Sequence, residues 1–206
     1  MTIAQTFETW CGWPVPPEGE LSSIGQSHTC SVRMSAMSRS FDVFTESPAS
    51  VEQIHSAFGR EDYWRARLAP AGATTTLDSL IVDDDGTVRA CFTQHLGRQL
   101  LPGPVAKLIP GELKIVTSET WRPVGDRQVR GQVRVAASPG LGSGHAEAWL
   151  EPSGNGSQMR FVVRVEVKIP LLGGKLEKSM GASLAESIPA LQRFTATWIA
   201  ENHDIG

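Results

Sequence analysis

The chain has 206 residues, 19 Lys and Arg against 22 Asp and Glu, a net charge of −3 and a pI near 6.0. This balance gives no general pull toward nucleic acid or an anionic membrane surface. The three cysteines, Cys11, Cys30 and Cys91, form neither a CxxC zinc pattern nor a paired disulfide framework, and they fit a reducing cytoplasm. No stretch of about 18 consecutive apolar residues reads as a membrane helix.

The N-terminal region lacks a basic start followed by an apolar block, so it does not read as a signal peptide. Its Trp10-Cys11-Gly12-Trp13 segment and the prolines at 14, 16 and 17 have neither helical nor strand period. Residues 1–37 are therefore expected to be a disordered extension. They are either a genuine tail or the product of a start assigned upstream of Met34 or Met37.

Regular patterning begins at Ser40. The segment from Ser40 to Glu46 alternates and is rich in aromatic and β-branched residues, which predicts a strand. Ser47 or Ser50 is placed to cap a helix in which Val51, Ile54, His55 and Phe58 share one stripe. A second short helix is expected from Glu61 to Leu68, closed by Pro70 and Gly72. The period then becomes two. Strands are expected over 74–82, 87–96, 112–122, 127–136, 144–151 and 158–169, joined by turns such as Asp83-Asp84-Asp85-Gly86. A long helix from Gly174 to Asn202 closes the chain. Leu176, Met180, Leu184, Ile188, Leu191 and Trp198 mark its buried side, and Pro189 inside it is expected to kink it.

The order is one strand, two short helices, about six successive antiparallel strands and one long helix. Short links imply a meander, whose apolar face needs a cover that only the terminal helix is long enough to give. This order resembles the START-like, or SRPBCC, superfamily with its helix-grip fold. The junction Lys168-Ile-Pro-Leu-Leu-Gly-Gly-Lys-Leu-Glu-Lys178 is similar to the strand–PLxGGxxEK–helix joint of a mostly actinobacterial family of unknown function within it. The resemblance implies an α+β domain over residues 38–206, with a curved antiparallel sheet of six to seven strands gripping the C-terminal helix. It also implies a cavity for lipids, polyketides or other apolar molecules. The superfamily includes cyclases, oxygenase domains and co-chaperones as well, so fold alone does not choose a function.

Strand register nominates the lining. Phe161, Val163, Val165, Val167 and Ile169 alternate with charged or outward residues, and Val129, Gly131, Val133 and Val135 do the same. The candidate ligand-binding set is Trp64, Phe92, Gln94, Ile115, Thr117, Glu119, Trp121, Val163, Val165, Met180, Leu184 and Ile188. Gln94, Thr117 and Glu119 either orient a ligand or lie past the cavity rim and meet water. Segment 97–111, with five large aliphatic residues among prolines and glycines, is a candidate lid or docking tip, or else a short helix packed on the end of the domain.

Little points to catalysis. There is no nucleophile elbow, the Gly140–Gly144 run joins two strands and does not open a helix, and His55 reads as a core histidine. An enzyme acting on a hydrophobic substrate would need Glu119 and His55 as its acid–base pair. No cofactor or metal is implied. The expected partner is a hydrophobic small molecule, with no nucleic acid and no membrane insertion beyond transient surface contact. The outward arginines at 89, 130, 134, 160 and 164 offer a rival basic patch, but Glu147 and Glu166 share that face and ordinary cross-strand ion pairs are expected.

Overall fold

The computed structural model describes residues 31–34, 40–71, 74–100, 106–107, 111–138, 140–168 and 173–202. Their elements are β1 (Ser31–Met34), β2 (Ser40–Ser47), α1 (Val51–Phe58), α2 (Glu61–Leu68), β3 (Thr75–Val82), β4 (Val88–Leu96), β5 (Leu113–Val124), β6 (Gln128–Ser138), β7 (Gly142–Ser153), β8 (Gly156–Val167) and α3 (Gly173–Glu201). All strands join one curved, open antiparallel sheet in the order β1-β2-β8-β7-β6-β5-β4-β3. Seven strands run from Ser40 onward, as the alternation predicts. The eighth, β1, pairs with β2 from within the segment expected to be disordered, with Val32 opposite Val43. For those four residues the structure replaces the expectation. Residues 1–30 lie outside the description.

Local chemistry accounts for the helix starts and the turns. Ser50 caps α1 with a reciprocal pair: its Oγ accepts the Gln53 amide at 3.2 Å, and Gln53 Oε1 accepts the Ser50 amide at 2.9 Å. The β3–β4 turn places Gly86 at φ 77°, where a side chain would be strained. Its acids are engaged locally: Asp85 accepts the Thr87 amide and Asp83 pairs with Arg89. The register of β3 slips between Leu77 and Ser79, a bulge that the simple alternation does not announce.

The register aligns inward residues in rows across the sheet. One row runs Phe41, Val163, Ala146, Val133, Glu119, Ala90, and the next runs Val43, Phe161, Ala148, Gly131, Trp121, Val88. All twelve are buried. The terminal helix does not cover this face alone, contrary to the sequence expectation. It packs on β2, β8 and α1, whereas α2 packs on β3. Phe58 of α1 meets Trp121 with ring centroids 4.6 Å apart, and Trp64 of α2 meets Phe92 at 6.2 Å. Two short helices thus roof one half of the sheet and α3 roofs the other. α3 passes through Pro189 as one continuous helix, although proline removes the amide that would bond the Ala185 carbonyl.

Candidate functional site

The middle of the roofed face is built from short side chains. Gly131, Ala146, Ala148, Gly144 and Ala137 stand on β6 and β7, between the strands under α3 and those near α2. Trp121 leans across Gly131. A Cβ there would lie 2.6 Å from the indole Cε3 and 2.9 Å from the Ala148 methyl, so the glycine makes room for the ring. One row further on, Val135 and Gly144 belong to the same inward set yet remain partly exposed. Solvent therefore reaches the apolar side of the sheet at β6–β7.

Beneath α2 lies a buried ion pair. Arg67 Nη2 donates to Glu119 Oε1 at 2.6 Å and Nη1 donates to Oε2 at 3.3 Å, with both side chains 1% exposed. Trp121 Nε1 adds a third hydrogen bond to Glu119 Oε2 at 2.9 Å. The guanidinium also sits 4.5 Å from the Trp64 ring centroid, which favours a planar cation over an aromatic face. Burial opposes the Arg67 charge, but Glu119 and Tyr63 together outweigh it and hold the guanidinium above its ordinary pKa. Tyr63 joins α2 to α3 through a 2.9 Å hydrogen bond with Thr195 Oγ1, and burial pushes its phenol up.

Other polar atoms in the interior have no such partners. Gln94 is 2% exposed, and neither its Oε1 nor its Nε2 has a hydrogen-bond partner among the described residues. Thr75 stands directly opposite Gln94 in the register, and its Oγ1 is likewise buried without a partner. Arg67 Nε, Thr87 Oγ1 and Gln192 Nε2 are further buried polar atoms without a partner among the described residues.

Of the twelve nominated residues, eleven are buried: Trp64, Phe92, Gln94, Ile115, Thr117, Glu119, Trp121, Val163, Val165, Leu184 and Ile188. Met180 lies in α3, with its side chain outside the described residues. The rim alternative for Gln94, Thr117 and Glu119 fails, since each is 2% exposed or less. Arg67 and Thr75 were not nominated. Arg67 lay in a helix of low amphipathicity, but it follows Tyr63 by four residues and Trp64 by three, so it shares their buried face. Most of segment 97–111 falls outside the described residues, as does the 169–172 joint.

No hydrogen bond joins His55 to Glu119 among the described residues. Glu119 is committed to Arg67 and Trp121. His55 is half-buried beside the backbone of Gly86 and Trp121, and burial pulls its imidazole below the ordinary value. His95 and His145 face outward as expected, beside Glu112 and Glu147. The convex arginines find acidic and aromatic neighbours: Arg160 binds Asp42 at 2.6 Å, and both Arg130 and Arg160 lie over the Trp149 ring.

A family model described as "Protein of unknown function (DUF2505)" matches residues 42–199. The chain belongs to the DUF2505 family. This DUF2505 protein is 37% identical over 173 residues to the uncharacterized protein Rv0481c of Mycobacterium tuberculosis, covering 81% of the present chain and 99% of the relative. The uncharacterized protein Mb0491c of Mycobacterium bovis matches to the same extent. Among solved structures, human STARD10 superposes with a TM-score of 0.56 at 12% identity, over 90% of this chain and 78% of that one. Protein Ms6760 from Mycobacterium smegmatis superposes with a TM-score of 0.53 at 11% identity, over 86% and 100%. TTHA0849 from Thermus thermophilus gives 0.51 at 13% identity, over 79% and 97%. The DUF2505 fold is thus START-like, as the element order and the strand–helix junction indicate. No helix among the described residues is long and apolar enough to cross a membrane.

Proposed function

We propose that this DUF2505 protein binds or carries an apolar small molecule, in a cytoplasmic setting, between its sheet and its covering helices. One observation carries the reading. α3 lies over β2 and β8, α2 over β3, and α1 meets both β6 and β7, yet along β6 and β7 solvent still touches Val135 and Gly144, beside the buried Val133 and Ala146. Side chains this short on an apolar concave surface leave room for a guest. An apolar guest gains about 25 cal/mol for each Å² it removes from water. The START-like fold supports the same reading. The binding set is the nominated lining together with the β6–β7 residues.

The test is native mass spectrometry of the purified protein, followed by titration with Nile red. Wild type is expected to carry or take up an apolar molecule. Val135→Trp, which adds a large ring where the face is open, is expected to weaken uptake about tenfold or more, because a filled space excludes the guest. Absence of uptake by wild type, or uptake unchanged in Val135→Trp, would overturn the reading.

A further inference from the structure

Gln94 and Thr75 mark a feature that an apolar guest alone does not explain. The carboxamide of Gln94 offers one acceptor and two donors in a setting that is 2% exposed, between buried Phe92 and Leu96 on its own strand and opposite buried Ile115. Its two polar atoms have no partner among the described residues, and neither has the Thr75 hydroxyl on the adjacent strand. Directly opposed residues on one face of an antiparallel pair have Cβ atoms about 5 Å apart, so these unmet groups converge on one spot. Buried amides and hydroxyls are almost always hydrogen-bonded, and an unmet one loses its full hydration. The spot is also free of net charge. Arg67 and Glu119, the buried charged residues among those described, neutralise each other.

We infer that the Gln94–Thr75 pair is a polar subsite that receives a neutral hydrogen-bonding group at the end of the ligand, one that both donates and accepts, such as a carboxamide or a hydroxyl. This rests on the cavity reading above and narrows its ligand class. An ionised carboxylate would be shed here, because it would be desolvated among neutral groups and the buried cation among the described residues, Arg67, is already paired with Glu119. A plain hydrocarbon would leave the amide unmet.

The experiment is competition against bound Nile red with four twelve-carbon probes: dodecanamide, dodecanol, dodecane and dodecanoate. Wild type is expected to bind the amide and the alcohol about tenfold tighter than the alkane or the carboxylate, the size of one well-made hydrogen bond. Gln94→Met keeps the length of the side chain and removes both polar atoms. It is expected to bind the four probes within a factor of about three of one another. Thr75→Val is a second variant at a site that β-branched residues fill easily, and it is expected to lose part of the same preference. Equal binding of all four probes by wild type, tightest binding of dodecanoate, or a preference that survives Gln94→Met would overturn the subsite while leaving the cavity reading intact. Failure of Nile red and every probe to bind wild type would instead overturn the cavity reading, and the subsite with it.

Discussion

Replacing Arg67 with methionine isolates the energetics of the covered interior. Methionine fills much of the same volume but leaves the Glu119 carboxylate, 1% exposed, with Trp121 Nε1 as its remaining donor at 2.9 Å. Removing one partner of a buried pair costs about 3–5 kcal/mol, because the surviving charge keeps its desolvation penalty without its counterion. A chain of this size loses about 2 kcal/mol per molar urea, so the unfolding midpoint should fall by about 2 M. The double variant Arg67→Met, Glu119→Gln removes both charges and leaves the Trp121 N–H an oxygen to bond. It should recover more than half of that loss. Urea titrations of wild type, both single variants and the double variant, followed by tryptophan fluorescence, measure the whole cycle. Additive costs, or an Arg67→Met midpoint within about 0.5 M of wild type, would refute the ion pair as a coupled buried unit.

Gly131→Ala should lower the melting temperature by about 3–9 °C in calorimetry, since a methyl group there collides with the Trp121 indole and overpacking costs about 1–3 kcal/mol. Tyr63→Phe should cost about 1 kcal/mol in urea unfolding, because it deletes the hydrogen bond to Thr195 while that hydroxyl still donates to the Leu191 carbonyl. Glu52 has its pKa lowered to about 2, chiefly by the backbone amide at the start of α1 and then by Ser50 and Arg127. A carboxylate held low in the folded state stabilises above its unfolded pKa and loses that contribution as the pH falls through the folded value. Glu52→Gln should therefore be less stable than wild type at pH 7, by under about 1 kcal/mol for so exposed a group. The gap should narrow as the pH drops below 4.5 and close near pH 2. Parallel urea titrations across that range would show a constant gap if the ionised form played no part.

Much of this arrangement was legible because period-two patterning reports directly on which face is buried. Phe161, Val163 and Val165 face inward as their alternation indicates, and so do Gln94, Thr117 and Glu119. Ser50, one of the two candidates for the α1 cap, forms the capping box with Gln53. What alternation cannot convey is pairing between distant segments. Glu119 reads as a rim residue until Arg67, 52 positions away, is brought onto it by the packing of α2. The facing of Thr75 and Gln94 depends on a hairpin register, and the bulge that follows at Leu77 and Ser79 shows how easily that register shifts. The division of the cover between α1–α2 and α3 was missed for the same reason: helix length gives reach, whereas placement follows from contacts made in three dimensions.

The strand order also bears on how the molecule is assembled during synthesis. Strands β3 to β8 are each neighbours of the next, so they can zip together by successive hairpins as the ribosome delivers them. β2 meets the nearby β1 along one edge, but its other edge belongs to β8. Phe41 of β2 waits for Val163, more than a hundred residues downstream, and α3 emerges later still. Closing so long a loop delays the pairing. A nascent chain arrested before β8 would therefore leave the β8-facing edge of β2 unpaired, exposing an aromatic strand edge to chaperones until translation is nearly finished.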